Sequence, residues 1–226
     1  MTDPTTAAPS AAGRVVLIGG ATSVAGRTVA RALLDAGARV VAVGSNRERL
    51  DEMAAELPGL VTEQADLTDQ MQVWPLAMRV HGRVGDVDGI INLVGGWRGG
   101  GGIPGQTEED YRVLEHSFEA LRHLSRALWD DLVASPAGRI AIVSSTAVER
   151  PLAGGANYAA VKAASEAWMQ ALAHGLGKEG ETGAAVTFRV KSLAGLEARL
   201  ASEVVALWSQ DATELNGRVE TLSPEA

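Results

Sequence analysis

Tyr158 and Lys162 are the two residues of this sequence best suited to proton-transfer chemistry. They form the segment YAAVK, and a spacing of four residues places both side chains on one face of a helix. A lysine ammonium beside a phenol favours the phenolate and lowers the tyrosine pKa from about 10 towards neutral pH. The pair could therefore exchange a proton with a carbonyl or alcohol oxygen.

Ser145 is a second candidate for the same chemistry. It ends the apolar run RIAIVSS, upstream of Tyr158, and the carboxyl end of a buried parallel strand faces the ligand crevice of an α/β fold. The Ser145 hydroxyl could orient a substrate oxygen there. The alternative is a serine that only hydrogen-bonds to nearby backbone.

A glycine-rich turn predicts a phosphate site. Gly19, Gly20 and Gly26 lie between the apolar run RVVLI and the helical segment RTVARALLDAGA. Such a turn brings backbone N–H groups and a helix N-terminus against the pyrophosphate of a dinucleotide. A tight strand-to-helix turn without a ligand is the alternative, because glycine turns alone are weak signals.

Two further segments bear on the nucleotide. Ser45 and Asn46 stand where NAD-binding proteins carry a carboxylate for the ribose, and the nearby Arg47 and Arg49 suit a 2′-phosphate. This favours NADP slightly over NAD, although both arginines could be solvated helix residues. Asp66 in ADLTD could contact the adenine or cap a helix beginning near Thr68.

The elements that must position these residues alternate strand and helix. Short apolar runs with few polar residues predict strands buried on both faces. Five strong runs are 14–18, 39–43, 87–94, 139–143 and 185–190, and two weaker ones are 60–65 and 218–222. With about six intervening helices, including one over 157–172, the pattern predicts a doubly wound parallel sheet of Rossmann type in three α/β/α layers. We expect one domain over residues 14–226 and a disordered tail over residues 1–13.

Composition excludes several function classes. The formal charge of −8, without a basic run, argues against nucleic-acid binding. The absence of cysteine excludes disulfides and thiol catalysis, and the four histidines share no metal-ligand spacing, so we expect no metal. The longest uncharged stretch, residues 15–26, is too short to span a membrane, and the N-terminus lacks the features of a signal peptide. A soluble cytoplasmic protein is expected.

Taken in order, these motifs resemble the short-chain dehydrogenase/reductase family. The glycine turn, ADLTD, NLVGG, the serine pair, YAAVK and LNGRV extend over residues 14–222. The resemblance implies that Tyr158 is the acid/base, that Ser145 assists it at the carbonyl, and that Lys162 holds the nicotinamide ribose. It implies NAD(P) as cofactor and a homodimer or homotetramer built through helices around 114–133 and 157–175. The predicted cofactor contacts are Gly20, Thr22, Ser23, Val24, Gly26, Ser45, Asn46, Arg47, Asp66, Leu67, Asn92, Val94 and Gly95.

The chain also departs from the family pattern. Val24 replaces a glycine of the phosphate turn, and Ser117 stands where most members carry an asparagine that holds a proton-relay water. The substrate lid after the sixth strand is almost absent, which predicts an open active site. The segment GGWRGGGGIPG over 95–105 and the serine at 117 resemble the dihydropteridine reductase branch. Trp97 and Arg98 on this loop could close on a ligand, or the loop could be a mobile surface segment with Trp97 packed on the sheet edge.

These observations predict an NAD(P)-dependent oxidoreductase that interconverts a carbonyl and an alcohol, or acts on a related conjugated bond. The alternative is a nucleotide-binding regulator or scaffold that keeps the fold without turnover, which Val24, Ser117 and the short lid would permit. Substrate, reaction direction and the choice between NAD and NADP stay open.

Overall fold

The central element of the protein is a seven-stranded sheet. The structure is a computed structural model that describes residues 10–180 and 182–224. The strands are β1 (Val15–Gly19), β2 (Arg39–Gly44), β3 (Val61–Gln64), β4 (Gly89–Asn92), β5 (Arg139–Ser145), β6 (Ala184–Val190) and β7 (Val219–Leu222). Every pairing is parallel and the order is β3-β2-β1-β4-β5-β6-β7. The predicted fold class is confirmed.

Helices cover both faces of the sheet. They are α1 (Val24–Asp35), α2 (Arg47–Glu56), α3 (Gln70–Val84), α4 (Glu108–Ala127), α5 (Trp129–Ala134), α6 (Ala156–Glu179), α7 (Glu197–Ala206) and α8 (Ala212–Leu215). Within the described residues this is two more than the predicted six. The additions, α5 and α8, are six and four residues long, too short for a periodic apolar pattern.

Two apolar layers fix the helices to the sheet. Leu33 of α1, Leu50 of α2 and Leu200 of α7 are fully buried against one face. Leu76 of α3 and Leu121 of α4 are fully buried in the layer on the other face. Both faces of the strands are therefore covered, which explains why the strand sequences lack an alternating polar pattern.

The amino-terminal boundary of the domain was predicted at residue 14. Residues 1–9 of the predicted tail lie outside the described residues. Ala11 is 2% exposed and belongs to the core, and the backbone N–H of Gly13 donates to the carbonyl of Gly37 at 2.8 Å. Packing thus begins three residues before the predicted boundary at residue 14.

The connection from β6 to α7 is short. Only residues 191–196 join the two elements, in agreement with the predicted loss of the substrate lid. None of the helices in the described part of the chain is long and apolar enough to cross a lipid bilayer.

Candidate active site

The crevice for a ligand lies where the sheet order reverses. β1 is flanked by β2 on one side and β4 on the other, so the crossovers leave in opposite directions and open a cleft at the carboxyl ends of these strands. The predicted site residues after β1, β2, β4 and β5 all stand at this edge. Sequence order alone does not bring them together, but the sheet does.

Lys162 lies at the centre of the cleft. It is 8% exposed, and its Nζ donates to the carbonyl of Val143 on β5 at 2.8 Å. A Cβ built on Gly95 would stand 3.6 Å from Nζ and 3.9 Å from Cβ of Ser117. The structure therefore brings Lys162, Gly95 and Ser117 together.

Tyr158 presents its ring beside this lysine. Nζ of Lys162 lies 5.9 Å from the centroid of the Tyr158 ring, and both residues belong to α6, one turn apart. Burial lowers the pKa of Lys162 to about 8, while the nearby Glu166 carboxylate opposes this effect. At neutral pH the lysine keeps its proton, so a positive charge lies beside the Tyr158 ring.

Ser145 is the last residue of β5, the strand whose Val143 carbonyl accepts the hydrogen bond from Lys162. It is 4% exposed, and its Oγ accepts the backbone N–H of Ala147 at 3.1 Å, which caps the 3-10 turn Thr146–Val148. The backbone bond foreseen as an alternative is thus present. Among the described residues no acceptor takes the hydroxyl hydrogen of Ser145, so that hydrogen stays available to a ligand.

Ser117 and Asn92 are linked at the foot of the cleft. The Asn92 side chain donates from Nδ2 to the Ser117 carbonyl at 3.1 Å, and its Oδ1 accepts the N–H of Val94 at 3.3 Å. The Ser117 hydroxyl donates to the carbonyl of Leu114 at 2.9 Å. Since its hydrogen is used within α4, Ser117 can only accept a hydrogen bond from a relay water.

The turn between β1 and α1 has the geometry of a phosphate site. Gly20 has φ of +72°, and a Cβ there would lie 2.8 Å from the backbone of Leu93 and Val94, while one on Gly26 would lie 2.3 Å from the Ala21 carbonyl oxygen. Neither position has room for a side chain, so both require glycine. The chain therefore runs tightly around this turn.

Ser23 and Val24 begin α1 at the mouth of that turn. The Ser23 Oγ accepts the N–H of Gly26 at 3.0 Å and caps the helix. Val24 is 70% exposed, so its side chain obstructs no other part of the chain. The helix N-terminus is open to the cleft, and the predicted contact Thr22 lies between it and β2, with Cγ2 3.3 Å from a Cβ built on Gly44.

The predicted nucleotide-selecting residues stand at the end of β2. Asn46 caps α2 by accepting the N–H of Arg49 at 2.9 Å, and the Ser45 carbonyl accepts from Gln64 at 2.9 Å. Arg47 makes a half-exposed ion pair with Asp51 at 3.6 Å. Such an exposed pair is weak, so the guanidinium remains available to an anion.

Asp66 hydrogen-bonds to Thr68 and does not cap α3. Its Oδ1 accepts the N–H and the hydroxyl of Thr68, at 2.9 and 2.7 Å, which lowers the pKa of the carboxyl group. The N-cap of α3 is Asp69, so the capping alternative for Asp66 is wrong. The adjacent Leu67 is buried, and its carbonyl accepts from His123 at 2.9 Å.

The loop over 95–105 is anchored beside Tyr158 by Gln106, a residue that the sequence analysis missed. Its Nε2 donates to the carbonyls of Gly100, Gly102 and Gly154, at 3.0, 3.1 and 3.2 Å. Its Oε1 accepts the N–H of Asn157 at 3.1 Å. Trp97 is 61% exposed, so it is not packed on the sheet edge.

His81 lies beside two carboxylates. Nε2 of His81 lies 2.7 Å from Oδ2 of Asp131, which also accepts the N–H of Val87 at 2.9 Å. Asp86 brings a third possible ligand atom within 4.8 Å. The cluster lies at the amino end of β4, opposite the cleft.

The cleft residues fit a dinucleotide. The tight glycine turn and open helix N-terminus suit a pyrophosphate, Ser45 to Arg47 suit the adenosine end, and Asn92 to Gly95 adjoin the lysine.

Comparison with known proteins places these features in a family. Residues 14–201 match the profile of the short chain dehydrogenase family. The chain is 33% identical over 168 residues to dehydrogenase/reductase SDR family member 7B of Bos taurus, covering 70% of this chain and 52% of that protein. It is 29% identical over 151 residues to NADP-dependent 3-hydroxy acid dehydrogenase YdfG of Salmonella typhi, covering 66% and 61%. The alignments thus span about half to three fifths of these relatives.

Solved structures show the same fold. A short-chain type dehydrogenase/reductase from Mycobacterium ulcerans superposes with a TM-score of 0.82 at 21% identity, covering 93% of this chain and 88% of the other. A short chain dehydrogenase/reductase family protein gives a TM-score of 0.82 at 24% identity, covering 94% and 97%. With the matching profile over most of the chain, these findings show that the protein belongs to the short-chain dehydrogenase/reductase family.

Proposed function

We propose that the protein is an NAD(P)-dependent oxidoreductase that interconverts a carbonyl and an alcohol, or acts on a related conjugated bond. The observation that carries the proposal is the Lys162 ammonium, buried at the end of β5 and 5.9 Å from the ring of Tyr158. A buried cation beside a phenol at a ligand cleft is an arrangement for acid/base catalysis. Relatives named as dehydrogenases and reductases support this assignment.

Each residue of the site has a role in this chemistry. The nicotinamide, when bound, supplies hydride for reduction and accepts it for oxidation. Tyr158 gives a proton to the carbonyl oxygen during reduction and takes one from the hydroxyl during oxidation. Lys162 places its ammonium beside the phenol and holds the ribose, and Ser145 donates its free hydroxyl hydrogen to the substrate oxygen. Ser117 accepts a hydrogen bond from the water that returns a proton to the site.

The cofactor is held by residues from four strand ends. We assign the pyrophosphate to the β1–α1 turn, with Gly20, Thr22, Ser23, Val24 and Gly26. We assign the adenosine to Ser45, Asn46, Arg47, Asp66 and Leu67, and the nicotinamide side to Asn92, Val94 and Gly95. The cationic Arg47, without a carboxylate at the end of β2, favours NADP, and a relative named as NADP-dependent agrees.

The substrate is a small carbonyl or alcohol compound admitted through an open cleft. The six-residue connection after β6 contributes little cover, so the loop over 95–105 is the main wall on the substrate side. Trp97 of this loop has an exposed aromatic ring that is available to the substrate.

The protein assembles as a homodimer or homotetramer through α4 and α6. The amino-terminal half of α4 carries Glu108, Glu109, Asp110 and Glu115 with one basic residue, Arg112, and its carboxyl-terminal half carries Arg122 and Arg126 with one acidic residue, Glu119. A two-fold axis that packs α4 antiparallel against its copy would face each acidic half with a basic half. This charge pattern supports a symmetric interface.

Titration with NADPH and NADH tests the proposal directly. The protein has five tryptophans, so binding is followed by quenching of tryptophan fluorescence and by enhanced emission of the reduced nicotinamide. We expect saturable binding, tighter for NADPH. Failure to bind either nucleotide would overturn the proposed function. Binding without turnover of any aldehyde, ketone or quinonoid compound would instead establish the non-catalytic nucleotide-binding alternative.

A further inference from the structure

A buried ion pair lies one helical turn beyond Lys162. Glu166 of α6 is 6% exposed. Its Oε1 accepts from Nε of Arg189 at 2.9 Å, and its Oε2 accepts from a terminal nitrogen of the same guanidinium at 2.6 Å. This two-point contact joins α6 to β6 and fixes the carboxylate in one orientation.

The same pair reaches the strand and the turn that carry Ser145. The Ser144 hydroxyl, fully buried on β5, donates to Oε1 of Glu166 at 2.6 Å. The second terminal nitrogen of Arg189 donates to Glu149 at 2.6 Å, at the far end of the 3-10 turn that Ser145 caps. The network thus connects β5, β6, α6 and this turn.

The charges around Lys162 are few. From α6 it faces the Tyr158 phenol and the Glu166 carboxylate, and from β6 the Arg189 guanidinium lies behind Glu166. β5 offers the Val143 carbonyl and the two serine hydroxyls, and Glu149 is the only charged residue on the adjoining turn. The carboxylate of Glu166 is therefore the anion that compensates the buried ammonium.

Arg189 keeps that anion ionised. Burial raises the pKa of Glu166, but the hydrogen bonds from Arg189 and Ser144 and the two neighbouring cations lower it by more. Without such partners a buried carboxylate tends to take up a proton. The Arg189 contact therefore maintains the negative charge that faces Lys162.

We propose that Glu166 and Arg189 are positioning residues for the reaction at Tyr158. Glu166 keeps the Lys162 ammonium charged at its place on β5, and Arg189 holds both Glu166 and the turn that carries Ser145. This inference rests on the proposed function, since it assigns the network to that site.

Titration of Lys162 by NMR tests the proposal without cofactor or substrate. The chain has three lysines, Lys162, Lys178 and Lys191, so the 13Cε signals of lysine-labelled protein are resolved, and Lys162→Met assigns the buried one. Glu166→Gln removes the compensating charge at constant shape and should lower the midpoint by about one pH unit. Arg189→Met removes the cation that keeps Glu166 ionised, so it should also lower the midpoint.

A matched control exists at the opposite edge of the sheet, on β3. Glu63 of β3 is also 6% exposed and pairs with Arg79 and Arg83 at 2.8 and 2.7 Å. Glu63→Gln removes a buried, arginine-paired carboxylate remote from the cleft, and it should leave the Lys162 midpoint unchanged. Arg189→Lys, which restores a cation, should bring the midpoint back towards the wild-type value.

Kinetics gives the second readout. Because Lys162 must be protonated, Glu166→Gln should shift the alkaline fall of kcat/KM to lower pH by the same interval, with roughly fivefold loss at pH 8 and little loss at pH 6.5. Unmoved midpoints in both Glu166→Gln and Arg189→Met, with normal NADPH binding, would overturn the positioning role alone. Absence of nucleotide binding by the wild-type protein would overturn the proposed function instead.

Discussion

At the end of β2, Arg47 carries the charge that we assign to cofactor choice. Its pair with Asp51, at 3.6 Å with both side chains half exposed or more, is worth little in water. Arg47→Gln removes the charge while the Asn46 cap on α2 stays intact. We expect the Kd for NADPH to rise about tenfold, since a charge-assisted hydrogen bond contributes about 1.5 kcal/mol or more, and the Kd for NADH to stay constant.

The fluorescence titration described above measures both constants. Arg31→Gln serves as the control, because Arg31 is exposed on the middle of α1, and it should change neither affinity. Equal weakening of NADPH and NADH by Arg47→Gln would show that Arg47 does not contact a 2′-phosphate.

Individual residues could be predicted where a local rule applies. Tyr158 and Lys162 follow from the spacing of a helix, and Glu166 lies at the same interval beyond Lys162, so the same rule could have indicated it. Arg189 could not be predicted, because its partner is 23 residues away and the packing of α6 on β6 that brings them together is not visible in either segment. Asp66 shows the opposite error, since the neighbouring Asp69 competes for the same cap.

The β1–α1 turn is the element that the backbone constrains most. Gly20 has a left-handed backbone conformation that is unfavourable for other residues, and a Cβ at this position would lie 2.8 Å from the loop after β4. We expect Gly20→Ala to lower the free energy of unfolding by about 3 kcal/mol, from unfavourable φ and overpacking together. Urea denaturation of the apoprotein, followed by circular dichroism, measures this change.

Gly82, which lies inside a helix, provides the control substitution for that measurement. Gly82 lies inside α3, and a Cβ there would meet nothing within 4 Å. Gly82→Ala should therefore leave stability unchanged or raise it by up to about 1 kcal/mol. Similar effects of the two substitutions would contradict the tight turn.

Elements differed in how well the sequence predicted them. Continuous apolar runs predicted all seven strands, with ends off by at most two residues; the fourth, for example, was expected over 87–94 and spans Gly89–Asn92. The helix predicted over 157–172 continues to Glu179, because good helix formers extend beyond the amphipathic segment. The anchoring of the glycine-rich loop could not be predicted, since Gln106 bonds to Gly154, 48 residues away.

The whole molecule explains why dispersed motifs form one site. Seven parallel strands place the carboxyl ends of β1, β2, β4 and β5 along one edge, and the order reverses at β1. The shortness of the chain falls in the connection after β6, which leaves the cleft open towards substrate. Alternation of strand and helix was sufficient to predict this architecture, but the contacts between distant loops required the folded chain.

The rate of NADPH-dependent carbonyl reduction tests the central claim most directly. The chain has two tyrosines, Tyr111 and Tyr158, so Tyr158→Phe and Tyr111→Phe remove the same hydroxyl from two places in one protein. We expect Tyr158→Phe to lower kcat roughly a thousandfold, with NADPH binding retained, and Tyr111→Phe to leave the rate unchanged. A wild-type rate in Tyr158→Phe would contradict the assignment of Tyr158 as the acid/base.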